Sequence, residues 1–219
     1  MIMDGNARWA KQNKVSKKVG YQKGLNKINQ IIDICIENKI KHLTLFALST
    51  ENFQRSSIKI IFEIIKGNYK FFLDEMSNKK KVKIKFIGTK YNLSKNLKEK
   101  ISTIEKKTLK NKLLNLNIAF NYGFLNELLY LVNNIVDLSL TNKIVINEKL
   151  IRKNLYLPKT PDPDLLIRTG GFSRLSNFFL FQLSYSELFF TKTLWPDISK
   201  NEILKIFNKF QNIERKYGL

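Results

Sequence analysis

Cysteine, histidine, proline and arginine are all scarce in this sequence of 219 residues. Cys35 is the one cysteine, which excludes an intramolecular disulfide and a cysteine-rich metal site and fits a reducing compartment. His42 is the one histidine, and it opens an apolar strand, so neither a Ser-His-Asp set nor a histidine base has support. No long apolar run stands at the beginning, so we expect a cytoplasmic protein without a signal peptide or membrane anchor.

The formal net charge of +21 raises the question of a nucleic-acid partner or an anionic membrane surface. The basic residues comprise 33 lysines and six arginines, however, which is typical of a lysine-coated exterior. In the segment 79–85, Lys83 and Lys85 alternate with Val82 and Ile84, as in a strand with one polar face. No face interleaves aromatic and basic residues, so we predict that the protein has no nucleic-acid partner.

The positions of the few arginines are informative because lysine is used elsewhere. Arg8, Arg55, Arg168 and Arg174 each lie in a short stretch rich in glycine, serine, threonine or asparagine. A guanidinium presents a planar fork that binds phosphate or carboxylate through two hydrogen bonds, whereas an ammonium is a point charge. These four residues are therefore the candidates for recognition of an anion.

Strands and helices alternate along the chain. Apolar periodicity predicts helices at about 20–38, 57–76, 93–110, 124–137 and 199–215, strands at 42–48, 81–87, 114–120 and 165–169, and a segment at 176–188 that begins as a helix. Such alternation favours an α/β fold with a mostly parallel sheet that is covered on both faces.

Each polar cluster of the sequence follows a predicted strand. The clusters lie at 4–8, 49–52, 88–89, 121–123 and 168–171. In an open parallel sheet, the carboxyl ends of the strands lie along one edge, where ligands bind. We therefore predict that these clusters share one crevice.

The composition of the crevice favours a phosphate-containing ligand. The segments DGNAR and RTGGFSR combine a glycine turn with arginine, but neither is a Walker A loop nor a GxGxxG fingerprint. Asp4 and Glu187 are the acids that could work with Mg²⁺ beside a diphosphate. Simpler roles remain open, because Asp4 could cap a helix and Glu187 could be a surface acid. The residues thus indicate a metal-assisted enzyme that stabilises a departing diphosphate.

Four stretches of the sequence resemble the motifs of the cis-prenyltransferases: MDGNARWA, STENFQR, IAFNYG and RTGGFSRLSNFFLFQLSYSELFFTKTLWPD. The resemblance runs from Met3 to about Gly218 and implies one catalytic domain over 1–219. It also implies a six-stranded parallel sheet, an apolar tunnel between sheet and helices with 57–76 as one wall, and a homodimer. The implied reaction adds isopentenyl diphosphate sequentially to an allylic diphosphate, typically farnesyl diphosphate, with Mg²⁺ and no side-chain nucleophile. The implied product is a long Z-polyprenyl diphosphate such as undecaprenyl diphosphate, a lipid carrier released through peripheral contact with the membrane.

The resemblance also assigns roles to individual residues. Asp4 would be the essential acid that works through Mg²⁺, and Glu187 the second metal-associated acid, from a partner-facing region. Asn52 is the second catalytic candidate, and with Arg55 it resembles the residues of a loop that closes over the site. The remaining candidates would bind the two substrates: Gly5, Asn6 and Arg8 the allylic diphosphate; Arg168, Arg174 and Ser176 isopentenyl diphosphate; and Trp9, Lys17, Tyr21, Ser49, Glu51 and Phe53 either one.

Several positions depart from the family pattern. Lys17 stands in place of arginine, Tyr21 of histidine, Phe53 of tryptophan, Ser56 of proline, Phe124-Leu125 of Gly-Arg, Phe172 of glutamate and Phe181 of tryptophan. The first strand is also nearly missing, since Ile2 and Met3 alone precede Asp4. A non-catalytic, prenyltransferase-like subunit is the alternative hypothesis. It is disfavoured because Asp4, Arg8 and Arg168, which such subunits typically lose, are all present.

Overall fold

The computed structural model describes residues 1–53, 67, 81–91, 93–141 and 143–214. Its helices are α1 (Asn6–Gln12), α2 (Lys17–Glu37), α3 (Thr50–Phe53), α4 (Lys95–Thr108), α5 (Phe124–Thr141), α6 (Glu148–Lys153) and α7 (Lys200–Gln211). Its strands are β1 (His42–Ser49), β2 (Val82–Ile87), β3 (Leu114–Tyr122), β4 (Leu165–Arg168) and β5 (Glu187–Phe190), and a 3₁₀ turn covers Trp195–Asp197. The predicted helix at 57–76, with its tunnel wall, lies outside the described residues.

The sheet is parallel but is divided in two. One sheet has three strands in the order β1-β3-β2, and β4 pairs with β5 in a second. Ile2 forms single parallel bridges to Phe46 of β1 and to Arg168 of β4, and so stands between the two sheets. Because Ile2 forms single bridges and no ladder, it is not a strand of its own, and the described residues contain one sheet of three strands and one of two. The predicted single six-stranded sheet is corrected accordingly.

Both faces of the larger sheet are covered. On one face, Leu116 and Ile84 pack in a cluster with Ile31 of α2 and Ile104 of α4. On the other, Ala119 packs in a cluster with aromatic residues of the segment 176–186. The central strand β3 is buried along almost its whole length, as expected for a parallel strand with helices or loops on both sides.

Most predicted elements match observed ones within a few residues, but the helix expected at 176–188 is wrong. Ser176, Asn177 and Phe179 have φ angles of 52°, 61° and 49°, in the left-handed region that a right-handed helix cannot use. The segment consists of turns that lead into β5 at Glu187. The short helix α6 was not part of the predicted pattern. Helix α1 is the one that Asp4 was considered to cap, but Gly5 is its N-cap and no side-chain hydrogen bond caps it.

No helix in the described portion of the chain is long and apolar enough to cross a membrane.

Candidate active site

Asp4 lies two residues after the bridging residue Ile2 and is fixed through its backbone. The Asp4 N–H donates a hydrogen bond to Thr169 Oγ1 over 3.0 Å, so the position of Asp4 does not depend on the short first strand alone. The carbonyl of Asp4 accepts hydrogen bonds from Thr169 Oγ1, over 2.8 Å, and from the N–H of Trp195, over 3.0 Å. Two segments from the far end of the chain therefore aim this carboxylate, which compensates for the short first strand.

The Asp4 carboxylate binds one arginine with each oxygen. Arg8 Nη2 donates to Oδ1 over 3.0 Å, and Arg168 Nη2 donates to Oδ2 over 3.1 Å. The two arginines differ in exposure: the Arg168 side chain is 4% exposed and that of Arg8 is 42% exposed. The site thus joins the first turn of the chain to the carboxyl end of β4, as the parallel-sheet argument predicted.

Arg168 also organises the glycine-rich loop that follows it. Its Nη1 donates to Ser176 Oγ over 2.8 Å and to the carbonyl of Arg174. The guanidinium of Arg174 in turn lies 4.2 Å from the centroid of the Phe172 ring. The three residues predicted to bind one diphosphate, Arg168, Arg174 and Ser176, are therefore brought together.

Two glycines permit the close approaches in this site. Gly5 has φ 120° and precedes α1, and a Cβ there would lie 2.9 Å from Leu194 Cδ2. Gly170 has φ 88°, and a Cβ there would lie 2.5 Å from Arg8 Nη2 and 3.0 Å from the Asp4 carbonyl oxygen. Both positions combine a positive φ with a lack of space. A side chain at Gly5 would displace Leu194, and one at Gly170 would displace Arg8 or the Asp4 backbone.

The segment 49–53, which comprises the end of β1 and the single turn α3 and is called the β1 loop here, contributes a second set of polar groups. The Asn52 N–H donates to Ser49 Oγ over 3.1 Å, and Asn177 Nδ2 donates to Glu51 Oε1 over 3.0 Å. Partial burial acts to raise the pKa of Glu51, but its hydrogen bonds, that from Asn177 foremost, lower the pKa below its usual value. This loop is therefore tied to the segment beside Ser176. Arg55 and Ser56 lie outside the described residues.

Other predicted site residues have packing or surface positions in this structure. Trp9 is buried, and its indole N–H donates to Asp197 Oδ1 over 2.8 Å. The Asn6 amide oxygen is buried without a hydrogen-bond partner among the described residues. Lys17 is exposed at the first position of α2, and Tyr21 is half-buried one turn later.

Glu187 lies away from Asp4 within one chain. Arg168 pairs with Phe190, whereas Glu187 pairs with Leu165 at the amino end of the ladder. Three residues along a strand correspond to ~10 Å. The described residues contain no group of three or more His, Cys, Asp or Glu side chains that could hold a metal ion. Within the described part of one chain, Asp4 is thus the carboxylate that contacts the arginine cluster.

Two functional positions were missed from the sequence. Thr169 is fully buried and holds the Asp4 backbone, and Asn177 ties the β1 loop to the far side of the crevice. Both signals were present in the motifs, since Thr169 follows Arg168 and Asn177 follows Ser176. Side-chain roles that act on the backbone leave no spacing pattern to detect.

An apolar cavity of about 480 Å³ lies at the amino ends of β1 and β4, away from Asp4. Its walls include Leu43, Leu165, Phe179 and Phe207. Cys35 also lines it, and burial raises the pKa of this thiol to about 12, consistent with the predicted role of Cys35 as a core residue. The tunnel predicted beside the helix at 57–76 stays a prediction.

Fold and site together define a class: an α/β protein with a parallel sheet whose carboxyl edge carries arginines around one carboxylate, an arrangement suited to a multiply charged anion. Sequence comparison adds the family. The protein-family model described as "Putative undecaprenyl diphosphate synthase" matches this chain over residues 2–218.

Curated relatives and solved structures agree with this match. The isoprenyl transferase of Aquifex pyrophilus is 40% identical over 220 residues, covering 100% of this chain and 94% of that protein. The tritrans,polycis-undecaprenyl-diphosphate synthase (geranylgeranyl-diphosphate specific) of Pyrococcus furiosus is 37% identical and covers 100% and 85%. Lavandulyl diphosphate synthase from Lavandula x intermedia, solved with dimethylallyl diphosphate, has a TM-score of 0.93 at 31% identity and covers 100% and 96%. The chain belongs to the undecaprenyl diphosphate synthase family of cis-prenyltransferases, the isoprenyl transferases.

Proposed function

We propose that this isoprenyl transferase condenses isopentenyl diphosphate sequentially onto farnesyl diphosphate and makes undecaprenyl diphosphate, a lipid carrier for cell-wall synthesis. The observation that carries the proposal is the placement of the Asp4 carboxylate between Arg8 and Arg168, with Arg174 adjoining. Two guanidiniums on one carboxylate, with a third over the neighbouring Phe172 ring, suit two diphosphate groups better than one monoanion.

The proposed reaction needs charge stabilisation and no side-chain nucleophile. The allylic C–O bond breaks, and the diphosphate leaves with the bonding electron pair. The alkene of isopentenyl diphosphate forms the new C–C bond with the allylic carbon, and loss of a proton leaves a Z double bond. Arg8 would bind the departing diphosphate, and Arg168, Arg174 and Ser176 would hold the other substrate. Donors fixed before the reaction stabilise the developing negative charge without reorganisation.

Mg²⁺ fits the donor set at Asp4. This ion takes one or two carboxylates together with substrate phosphates and retains several waters. The Asp4 side chain is 28% exposed, so an ion has access to it while its oxygens are oriented by Arg8 and Arg168. When bound, Mg²⁺ would neutralise charge on the diphosphate. Glu187 would join it from a partner subunit, since its own chain holds it at the other end of β5.

A non-catalytic subunit is the competing function. It predicts that the Asp4 cluster supports folding alone, so that substitution of Asp4 changes stability but no reaction. The partial exposure of Arg8, whose side chain is 42% exposed, argues for the enzyme, because a structural ion pair gains little from a partner that remains in water.

The test is incubation of the purified protein with labelled isopentenyl diphosphate, Mg²⁺ and one primer at a time. Farnesyl, geranylgeranyl and dimethylallyl diphosphate are compared, because the Pyrococcus furiosus relative is geranylgeranyl-diphosphate specific and the lavandulyl diphosphate synthase was solved with dimethylallyl diphosphate. We expect polyprenyl products with farnesyl diphosphate, loss of at least ~10³-fold in Asp4→Asn and an unchanged rate in the exposed-surface control Glu99→Gln. Absence of product with every primer contradicts the enzyme, and a different best primer or product length contradicts the specific reaction.

We also propose that the protein is a homodimer, with α5 as the interface helix. Six apolar residues of α5 follow a helical stripe and are exposed: Leu125, Leu128, Leu129, Val132, Val136 and Leu140. An exposed stripe of this size is typical of a surface that another helix covers, and two copies related by a twofold axis would bury it mutually. Leu129→Glu should then give monomers in light scattering, whereas Leu109→Glu, at a similarly exposed leucine just after α4, should leave dimers. A monomeric wild type contradicts this proposal.

A further inference from the structure

Phe172 lies among three guanidinium groups. The Cζ atoms of Arg174, Arg8 and Arg168 are 4.2, 4.8 and 5.9 Å from the centroid of its ring, and each lies over the ring. All three distances are within the range of cation–π attraction. The ring itself is 39% exposed, so it is not a core residue that the arginines happen to touch.

The arginine cluster has an excess of positive charge. Asp4 is the carboxylate that binds Arg8 and Arg168, and it offsets one of the three charges. Guanidiniums of like charge repel, so something other than Asp4 has to keep Arg174 close to the pair. An aromatic face attracts cations but carries no lone-pair acceptor, and therefore takes no N–H donor away from a ligand.

Donors remain available in this arrangement. Arg168 uses its two terminal nitrogens on Asp4, Ser176 and the Arg174 carbonyl. Arg8, whose side chain is 42% exposed, uses Nη2 on Asp4, and its other nitrogens make no hydrogen bond to the described residues. A carboxylate in the place of the ring would accept from these donors and would neutralise a second charge. The ring instead leaves the cluster cationic and open to an anion.

We propose that Phe172 is a positioning residue that holds Arg8 and Arg174 beside Arg168 through its π face and so presets the cluster for a diphosphate group. The identity of that group as part of isopentenyl diphosphate rests on the proposed function. The positioning itself requires only that the cluster binds a diphosphate. A plain apolar contact with a prenyl tail is the alternative role for the ring.

The test measures binding of inorganic pyrophosphate by calorimetry without Mg²⁺ in wild type, Phe172→Tyr, Phe172→Leu and Phe172→Glu. Phe190→Leu is the matched control, because Phe190 is also a partly exposed phenylalanine, at 38%. Its backbone pairs with Arg168 in the β4–β5 ladder, but among the described residues its ring lies over none of the three guanidiniums, so this variant changes a ring beside Arg168 without removing a cation–π contact of the cluster. We expect tyrosine to bind as wild type does, leucine about threefold to tenfold more weakly and glutamate more weakly still. Leucine keeps the apolar contact and removes the π face, so wild-type affinity in Phe172→Leu overturns the proposal.

Kinetics provide a second measurement. Phe172→Leu should raise KM for isopentenyl diphosphate by a similar factor while kcat stays within about twofold, since ground-state positioning of the anion is lost. An equal fall of kcat with unchanged KM overturns the proposal. If the wild type makes no polyprenyl product but the expected order of pyrophosphate affinities holds, the proposed function fails and the role of Phe172 stands. If wild type binds no pyrophosphate, the role of Phe172 fails.

Discussion

The two ion pairs of Asp4 should contribute unequally to the free energy of unfolding, although their lengths are nearly the same. The bond to Arg168 is 3.1 Å long and that to Arg8 is 3.0 Å, but their arginine side chains are 4% and 42% exposed. A charged hydrogen bond to a buried partner contributes roughly 1.5–3 kcal/mol. An exposed pair contributes roughly 0.2–1 kcal/mol, because water screens it. Asp4 itself is 28% exposed, which places the Arg168 pair at the lower end of its range, about 1.5 kcal/mol.

Two double-mutant cycles measure the difference. Asp4→Asn is combined with Arg168→Gln in one cycle and with Arg8→Gln in the other, and urea unfolding gives the coupling energies. We expect the Arg168 coupling to exceed the Arg8 coupling by about 1 kcal/mol, with a further decrease of the Arg8 coupling in high salt. Asp4→Asn should lower the Tm by roughly 3–8 °C. Equal couplings, or a larger one with Arg8, would refute the argument that burial decides the strength of these pairs.

Three further predictions concern residues near the site. Because the pKa of Glu51 is lowered in the folded protein, this residue contributes stability above about pH 4.5, and the contribution is lost as the pH falls through the folded pKa. The difference in unfolding free energy between wild type and Glu51→Gln should therefore vanish at lower pH in urea titrations. Gly170→Ala should lower the free energy of unfolding by roughly 1–3 kcal/mol, measured by urea unfolding, because it strains a left-handed position and displaces Arg8. Tyr122→Phe should cost roughly 1–3 kcal/mol in the same assay, because it removes the donor to the buried Glu127 carboxylate.

Each of these has a clear contrary result. A Glu51→Gln difference that grows toward acid would reverse the sign of the linkage. A Gly170→Ala protein as stable as wild type would show that Arg8 can move without loss. For Tyr122→Phe, an unchanged midpoint would mean that the hydrogen bonds to Glu127 from the Tyr156 N–H and from Gln182 are sufficient.

The sequence allowed the strand ends to be predicted because buried parallel strands are continuous apolar runs. From these runs, the meeting of Asp4 with Arg168, residues far apart in the chain, follows by sheet geometry alone. The same apolar signal failed at 176–188, where Phe178 and Phe179 are buried by turns and not by a helix. The apolar composition predicts burial for the strands and for the segment 176–188 alike. It does not predict the left-handed φ angles of Ser176 and Asn177, which exclude a helix there.

Site geometry was predictable only as far as strand order and polarity decide it. The resemblance implied that Glu187 joins the metal from a partner-facing region, and that role stays a prediction. Within its own chain, the ladder register sets Glu187 opposite Leu165, at the other end of the strand from Arg168. Register depends on how the apolar residues of two strands pack against each other, and the apolar pattern of each strand taken separately does not give that pairing. The approach of three arginines to Phe172 was likewise beyond spacing rules, because it depends on side-chain directions.

Ile2 has a mechanical consequence. Its N–H donates to the Ile167 carbonyl over 2.9 Å, and the Phe46 N–H donates to the Met1 carbonyl over 2.9 Å, so one short segment fastens two sheets together. Asp4 lies two residues further on and binds Arg168 at the end of β4. An anion bound at once by Arg168 and by the β1 loop would therefore add a second connection between the two sheets. Amide exchange at Ile2 and Phe46 should slow when pyrophosphate binds, so these two amides would report whether the site is occupied.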